Sequence, residues 1–435
     1  MIRSLDRVTA FRLGRTLSAQ AYGQIVTIAV QLALVPLLLH AWGTQLYGSW
    51  LLLSAIPFYL TFSDFGFTFV AKNEMVMAVA AGRRDAALRT FQSIFALLLV
   101  AMPLLMLASA GILWAVDVPA LLSIDAVGGD AARLVLLLLI GNVLLYQLYL
   151  LVCAGIRAEN RPASEAMWAA TARLGEGVAV ALAALGGGGV VAAAAAMVAS
   201  RLLFLLAGYR WLRRLSGWLA FGLAQADRAE LRRLRGPALA YMAMPIAQAL
   251  LIQGPVLIVG GALGAVTVVV FSTSRTVARL GTAAINMINN SVVSEYSALA
   301  GARDDAGFAR LFRLQIGATA LVTLGYAIVV LVAAPLVLPL LTHDAVRVVQ
   351  PFFLLVVIGV AAEMLWSALF TRIAAVNRHR GITLGFVAVA AAALGLCHVL
   401  VGGFGLTGAA VALLLAHGVM IALCLALAPR QRCEG

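Results

Sequence analysis

The chain has 435 residues, 63% of them hydrophobic and only 11% charged, with a mean hydropathy of +1.02. That balance excludes a soluble globular protein and points to a polytopic membrane protein. The formal net charge of +13 would suggest nucleic acid in a soluble protein. Here the placement of the basic residues explains it, and no nucleic-acid partner is expected.

The N-terminus carries Arg3, Arg7, Arg12 and Arg15 ahead of an apolar run too long for a signal-peptide core. No small-residue cleavage site follows, so it reads as a short interfacial helix before the first span. Windows of about 20 apolar residues then predict twelve spans, at about 17–39, 46–70, 91–115, 134–156, 168–186, 190–208, 237–260, 265–292, 312–333, 351–374, 383–400 and 406–427.

Basic residues fall on alternate connections. The N-terminus, the turn with Lys72, Arg83, Arg84 and Arg89, the segment with Arg157, Arg161 and Arg173, the stretches 201–235, 303–313 and 372–380, and the C-terminus hold 27 of the 31. Arg133 and Arg347 fall on the other side, and Arg275 and Arg279 lie within a span. The positive-inside rule therefore places both termini in the cytoplasm.

The longest polar stretch, 209–236, separates six spans from six. Its amphipathic, basic middle suits the inner membrane surface. The predicted fold is an all-α polytopic membrane protein of about twelve transmembrane helices. An N-terminal six-helix lobe covers 1–208, a basic cytoplasmic interfacial linker 209–236, and a C-terminal six-helix lobe 237–435. Span one carries Gln20, Gln24, Gln31 and Pro36; span seven carries Gln248, Gln253 and Pro255, an offset of about 220 residues. This weak similarity suggests two repeats related by pseudo-symmetry, a common transporter plan, and six spans per half, an even number, would make them parallel.

Span eight carries the most informative pattern. Ser272, Arg275, Arg279, Thr282, Asn286 and Asn289 follow one another at steps of three, four, three, four and three, which makes one stripe on a helix. Counted from residue 265 at 1.5 Å per residue, Arg275 lies roughly 15 Å deep, near the midplane of a core about 30 Å thick. Charges at that depth are costly and mark function by default. The stripe reads as a cationic path for negatively charged cargo, against the alternative that each arginine pairs with a carboxylate and only fixes packing.

Intramembrane acids are few. Asp64 in span two and Glu363 in span ten are the candidate partners of Arg275 and Arg279, or else proton or sodium sites. Glu176 in span five lies three residues from Arg173, a spacing at which the two can pair on one helix face. Asn142, Tyr146 and Tyr149 form a polar face of span four, while Trp42, Tyr47 and Trp114 suit the membrane interface. His343 and His398 lack metal-ligand spacing. Cys153, Cys397, Cys424 and Cys433 form no CxxC or Cys/His cluster and read as free thiols, so no metal site is expected. No phosphate-binding loop and no nucleophile–base arrangement is visible; no cofactor, no catalytic residue and no enzymatic activity is expected.

Two stretches carry a family resemblance: LYGSWLLLSAIPFYLTFSDFGFTFVAKNEM at 46–75 and FSTSRTVARLGTAAINMINNSVVSEYS at 271–297. With twelve spans divided six and six, they resemble the polysaccharide transporter branch of the multidrug/oligosaccharidyl-lipid/polysaccharide exporter superfamily, which includes the O-antigen flippases. The resemblance implies a flippase of the bacterial inner membrane. Its cargo would be a polyprenyl-pyrophosphate-linked oligosaccharide, moved from the cytoplasmic to the periplasmic leaflet by alternating access. It also implies membrane lipids, a polysaccharide polymerase and glycosyltransferases as partners. Arg275 and Arg279 match the Arg-Thr-x-x-Arg positions and would face the pyrophosphate or acidic sugars; Asp64 matches the acid of the Asp-Phe-Gly run. Where that branch often has a proline before the glutamate ending span eight, this chain has Ser294 before Glu295.

Three other readings stand beside it. A multidrug exporter of the same superfamily usually needs an acid in span one or seven, where this chain has glutamines. A peptidoglycan lipid-precursor flippase usually has fourteen spans. A non-transporting scaffold or an integral-membrane glycosyltransferase finds no large extramembrane domain or acidic catalytic motif here.

Overall fold

The structure, a computed structural model, describes residues 7–122, 124–301, 304–375 and 380–427. Arg3, Arg303, Arg378, Arg430, Arg432 and Cys433 lie outside them, as do the side chains of Arg7, Arg12, Ser294, Glu295 and Arg380.

Helix is the only regular secondary structure among the described residues. In chain order the elements are α1 (Arg7–Phe58), a 3-10 turn (Tyr59–Phe62), α2 (Phe67–Ala80), α3 (Arg84–Ala115), the short α4 (Val118–Leu121), α5 (Gly129–Ala158), α6 (Pro162–Leu185) and α7 (Val190–Leu215). There follow α8 (Arg228–Leu263), α9 (Ala265–Arg279), α10 (Thr282–Gly301), α11 (Asp305–Thr342), α12 (Phe352–Ala375) and α13 (Arg380–Ala426). Among the described residues no separate interfacial helix precedes the first span, since α1 runs unbroken from Arg7 until Gly43.

Nine of the described helical segments are long and apolar enough to cross a membrane. Two of them are of double length. Ser18–Thr61 has 44 residues and Gly381–Ala426 has 46, against about 20 for one crossing. Each is interrupted by a glycine outside the helical region, Gly43 (φ 71°) and Gly405 (φ 56°). Predicted spans one and two, and eleven and twelve, are therefore legs of these two segments. Predicted span eight falls outside the nine because it is broken into α9 and α10.

The chain divides into two compact units, residues 1–242 and 243–435. Residues 209–236, read from sequence as a linker, comprise the end of α7, an irregular run and the start of α8. The run is fastened to α3: the Gln92 side chain accepts from the Gln225 N–H, and the Ser93 hydroxyl from the Asp227 N–H. Leu219 within it is fully buried.

Helix α11 shows the packing logic of a chain in lipid. Leu314, Leu321, Leu324, Ile328, Val332, Leu336 and Leu340 share one face and are all exposed. The buried face of the same helix carries Gln315, Thr319, Thr323, Ala334 and Thr342, with Val330 and Leu338 among them. Hydrocarbon solvates leucine as well as any core does, so the interior goes to side chains that hydrogen-bond or allow close approach. Glycines serve the same end. A Cβ at Gly175 would stand 2.3 Å from the Phe204 ring, and one at Gly254 2.3 Å from Leu394, so a larger residue at either position would force those side chains to shift.

Within the first unit, Met75, Phe91, Ile94 and Tyr149 anchor a core contributed by α2, α3, α5 and α7. In the second, Ile373, Ile382, Phe386 and Met420 do so between α12 and α13. The expected interfacial aromatics divide: Trp114 is 84% exposed, whereas Tyr47 is buried.

Candidate functional site: a cationic cavity in the second unit

Helix α9 stops at Arg279, and α10 begins at Thr282 after a turn at Leu280 and Gly281. The sequence expectation of one continuous helix is corrected here. Gly281 lies against Tyr326, where a Cβ would meet the ring at 2.5 Å. The Tyr326 hydroxyl donates to the Val277 carbonyl at 2.8 Å, and Thr282 Oγ1 to the Arg279 carbonyl at 2.7 Å. These bonds occupy carbonyls that an interrupted helix leaves open, a requirement at membrane depth. Leu280 keeps right-handed helical angles (φ −55°, ψ −35°), so the polar stripe keeps much of its phase across the break.

The stripe faces a cavity of about 280 Å³ walled by α8, α9, α10, α12 and α13. Arg275, Arg279, Thr282 and Asn286 line it, joined by Gln248, Glu363, Ser367 and His417. Ser272 and Asn289 do not. The carbonyl of Ser272 accepts from Thr276 Oγ1. Asn289 lies in a helix-joining chain: Tyr296 donates to Gln315, Gln315 to the Asn289 carbonyl oxygen at 2.9 Å, and Asn289 to Ser367 Oγ at 3.2 Å.

Glu363 holds Arg279 in a two-pronged ion pair, with Nη1 on Oε2 and Nη2 on Oε1, the latter at 2.8 Å. Arg275 has no such partner among the described residues. Its Nη1 is buried without a hydrogen bond, and the guanidinium rests over the Phe271 ring, 5.1 Å from its centre. Behind Glu363 stands His417, with Nε2 at 3.9 Å from Oε2 and Nδ1 accepting from the Trp366 indole N–H at 3.0 Å. The wall thus carries two guanidinium cations against one carboxylate. An uncompensated charge in such a place is strongly unfavourable, and an anion entering the cavity would relieve it.

Of the two acids offered as partners for these arginines, Glu363 takes Arg279. Asp64 has another occupation. It sits where predicted span two leaves helix, and its two oxygens accept from the Gly66 and Thr68 N–H groups at 3.0 and 2.9 Å. It thereby starts α2, next to Gly66 in the left-handed region (φ 75°), where a Cβ would also meet the Ala238 carbonyl at 2.7 Å.

The expected Arg173–Glu176 pair is corrected as well. Arg173 donates to Thr27 Oγ1, while Glu176 accepts from Arg201 and from Asn142. Arg201 had been assigned to the cytoplasmic side; it lies inside the apolar segment Val190–Leu215, its guanidinium over Tyr146 at 4.6 Å. Arg173 lies inside Pro162–Leu185. Arginines within the apolar segments are therefore not confined to Arg275 and Arg279, although Arg201 is only half-buried and Arg173 is exposed. Sequence reading also missed His417 and Trp366, which lie 51 residues apart on different helices. An intramembrane histidine facing an acid was the available signal.

No protein-family model matches the chain, and no curated protein does. Solved structures do. The chain resembles an inward-facing multidrug resistance MATE family transporter of the MOP superfamily with a TM-score of 0.63 at 17% identity, over 94% of this chain and 96% of that one. It resembles the lipid II flippase MurJ, in an inward closed conformation, with a TM-score of 0.72 at 12% identity, over 94% and 86%. A MOP superfamily transporter from Pyrococcus furiosus, described by the reverse polarity of its binding pocket, gives 0.60 at 16%, over 95% of each. At such identities the likeness carries the architecture: this chain has the fold of the transporters of the MOP superfamily.

Proposed function

We propose that this protein is a flippase that moves polyprenyl-pyrophosphate-linked oligosaccharide, an O-antigen or other polysaccharide repeat unit, from the cytoplasmic to the periplasmic leaflet of the bacterial inner membrane. The observation that carries this reading is the cavity charge: Arg279 is held by Glu363, and Arg275 stands beside it without an ion-pair partner among the described residues. A pyrophosphate supplies the missing negative charge, and guanidinium geometry suits its oxygens. The lipid tail stays in the bilayer while the head group uses the polar wall. A membrane potential negative inside assists export of an anion by about 2.3 kcal/mol per charge per 100 mV. Both termini are cytoplasmic in this reading, and the polymerase and glycosyltransferases of the same polysaccharide are its natural partners. In this reading Glu363 takes the charge-pairing role, on Arg279.

The likeness to MurJ, itself a lipid II flippase, keeps a peptidoglycan precursor among the lipid-linked cargoes. The likeness to multidrug MATE transporters supports a second reading, export of organic cations. That reading needs an acid free for the cation, and the cavity's carboxylate is engaged by Arg279. In cells lacking the native gene, Arg275→Ala and Arg279→Ala each abolish surface polysaccharide while the protein stays in the membrane. Normal polysaccharide in both variants, or drug tolerance conferred by expression, refutes the flippase reading.

A further inference from the structure

Releasing Arg279 to an anion would leave the Glu363 carboxylate buried without its partner, a costly state. The structure holds a group in reserve for it. The Trp366 indole nitrogen can only donate a hydrogen bond, and it donates to His417 Nδ1 at 3.0 Å. Nδ1 must therefore keep its lone pair, which fixes His417 as the neutral tautomer with its proton on Nε2. Nε2 is the nitrogen that faces Glu363 Oε2, at 3.9 Å. That is about 1 Å beyond a hydrogen bond. Both rings are buried, 5% and 7% exposed, and lie nearly parallel, so neither turns freely.

We propose that His417 is a positioning residue that receives Glu363 when an anion takes over Arg279. The anion bridges Arg275 and Arg279, and the carboxylate moves from Arg279 onto the Nε2–H of His417. No proton changes hands, and the Glu363 carboxylate keeps a partner in both states. Trp366 guarantees the arrangement by keeping the Nε2 proton in place. This rests on the anionic-cargo reading above and adds to it a reason why a closed ion pair can open for phosphate.

The test uses the purified full-length protein in lipid nanodiscs, with inorganic pyrophosphate as the probe and its dissociation constant as the readout. His417→Ala weakens pyrophosphate binding about tenfold when Glu363 is present, the loss of one hydrogen bond to a charged group. In the Glu363→Gln background, where Arg279 needs no exchange of partners, the same change costs no more than about twofold. His417→Gln, whose amide N–H can stand where Nε2–H stood, restores binding; His417→Asn, whose amide corresponds to Nδ1, does not. Equal weakening in both backgrounds, or equal behaviour of the glutamine and asparagine variants, overturns the exchange while leaving the anion site intact. No pyrophosphate binding by any variant, Glu363→Gln included, overturns the anion reading and the exchange with it.

Discussion

Replacing Arg275 with methionine stabilises the folded protein while ending transport. Arg275 has a buried Nη1 without a partner and a second cation, Arg279, on the same cavity wall. Its compensations are the Phe271 ring at 5.1 Å, worth about 1 kcal/mol, and the distal influence of a carboxylate already chelated elsewhere. Exchanging such a charge for an apolar side chain of similar length gains about 1–4 kcal/mol. Subtracting the ring contact leaves about 0–3 kcal/mol, or up to about 3 °C in Tm for a chain of 435 residues. Glu363→Met has the opposite sign. It removes the carboxylate from a site with two guanidinium groups and costs about 3 kcal/mol, the low end of the range for stranding a buried ion, because Arg279 is 31% exposed. A thiol-reactive fluorophore reads both, since Cys153, Cys397 and Cys424 are buried and free and become reactive on unfolding. A fall in Tm for Arg275→Met as large as that for Glu363→Met refutes the reasoning, because Arg275 would then have to be a satisfied structural cation.

Arg201→Ala strands Glu176 and costs about 3–5 kcal/mol, whereas Arg173→Ala costs under about 1 kcal/mol; equal Tm losses would return Glu176 to Arg173. Gly281→Ala forces a Cβ against Tyr326 and destabilises by about 1–3 kcal/mol, while Tyr326→Phe alone loses the bond to Val277 and costs about 1 kcal/mol; an unchanged Tm for Gly281→Ala would mean the ring moves aside freely. Outside the apolar segments, hydrogen bonds from Arg233 hold the Glu230 carboxyl below its ordinary value of 4.5, with Thr90 assisting. A lowered carboxyl pKa stabilises the folded state above the ordinary value, and that contribution fades as pH falls through the lowered one. Glu230→Gln therefore lowers stability at pH 7, by no more than about 1 kcal/mol for a surface pair, and the difference in Tm from the parent protein closes on acidification. A gap that widened in acid would contradict the assignment.

Spans, polar stripe and cavity charge were legible because they rest on local rules: hydropathy over about 20 residues and the 3.6-residue period. The break at Leu280 and Gly281 was hidden by those same rules. Leu280 stays in right-handed helical geometry, so the three–four spacing passes through the turn nearly undisturbed. Gly281 was the visible clue, but the reason for it is Tyr326, on another helix. The partners of Glu176 and Glu363 were legible only in part, since a charge at membrane depth announces that it needs a partner and not which one. Arg173 lay three residues from Glu176 in sequence, yet Arg201, on the next helix, holds it. Asp64 looked like a coupling acid because nothing in its hydropathy window shows that the helix ends there, leaving backbone N–H groups for it to satisfy.

The apolar row on α11 sets a demand on the surrounding bilayer. From Leu314 to Leu340 it extends roughly 39 Å at 1.5 Å per residue, beyond the 30 Å or so of an average hydrocarbon core. Such a mismatch is met by leaning the helix or by thickening the lipid around it. The protein's activity in reconstituted membranes should therefore depend on acyl-chain length, and short-chain detergents will leave part of this row facing water.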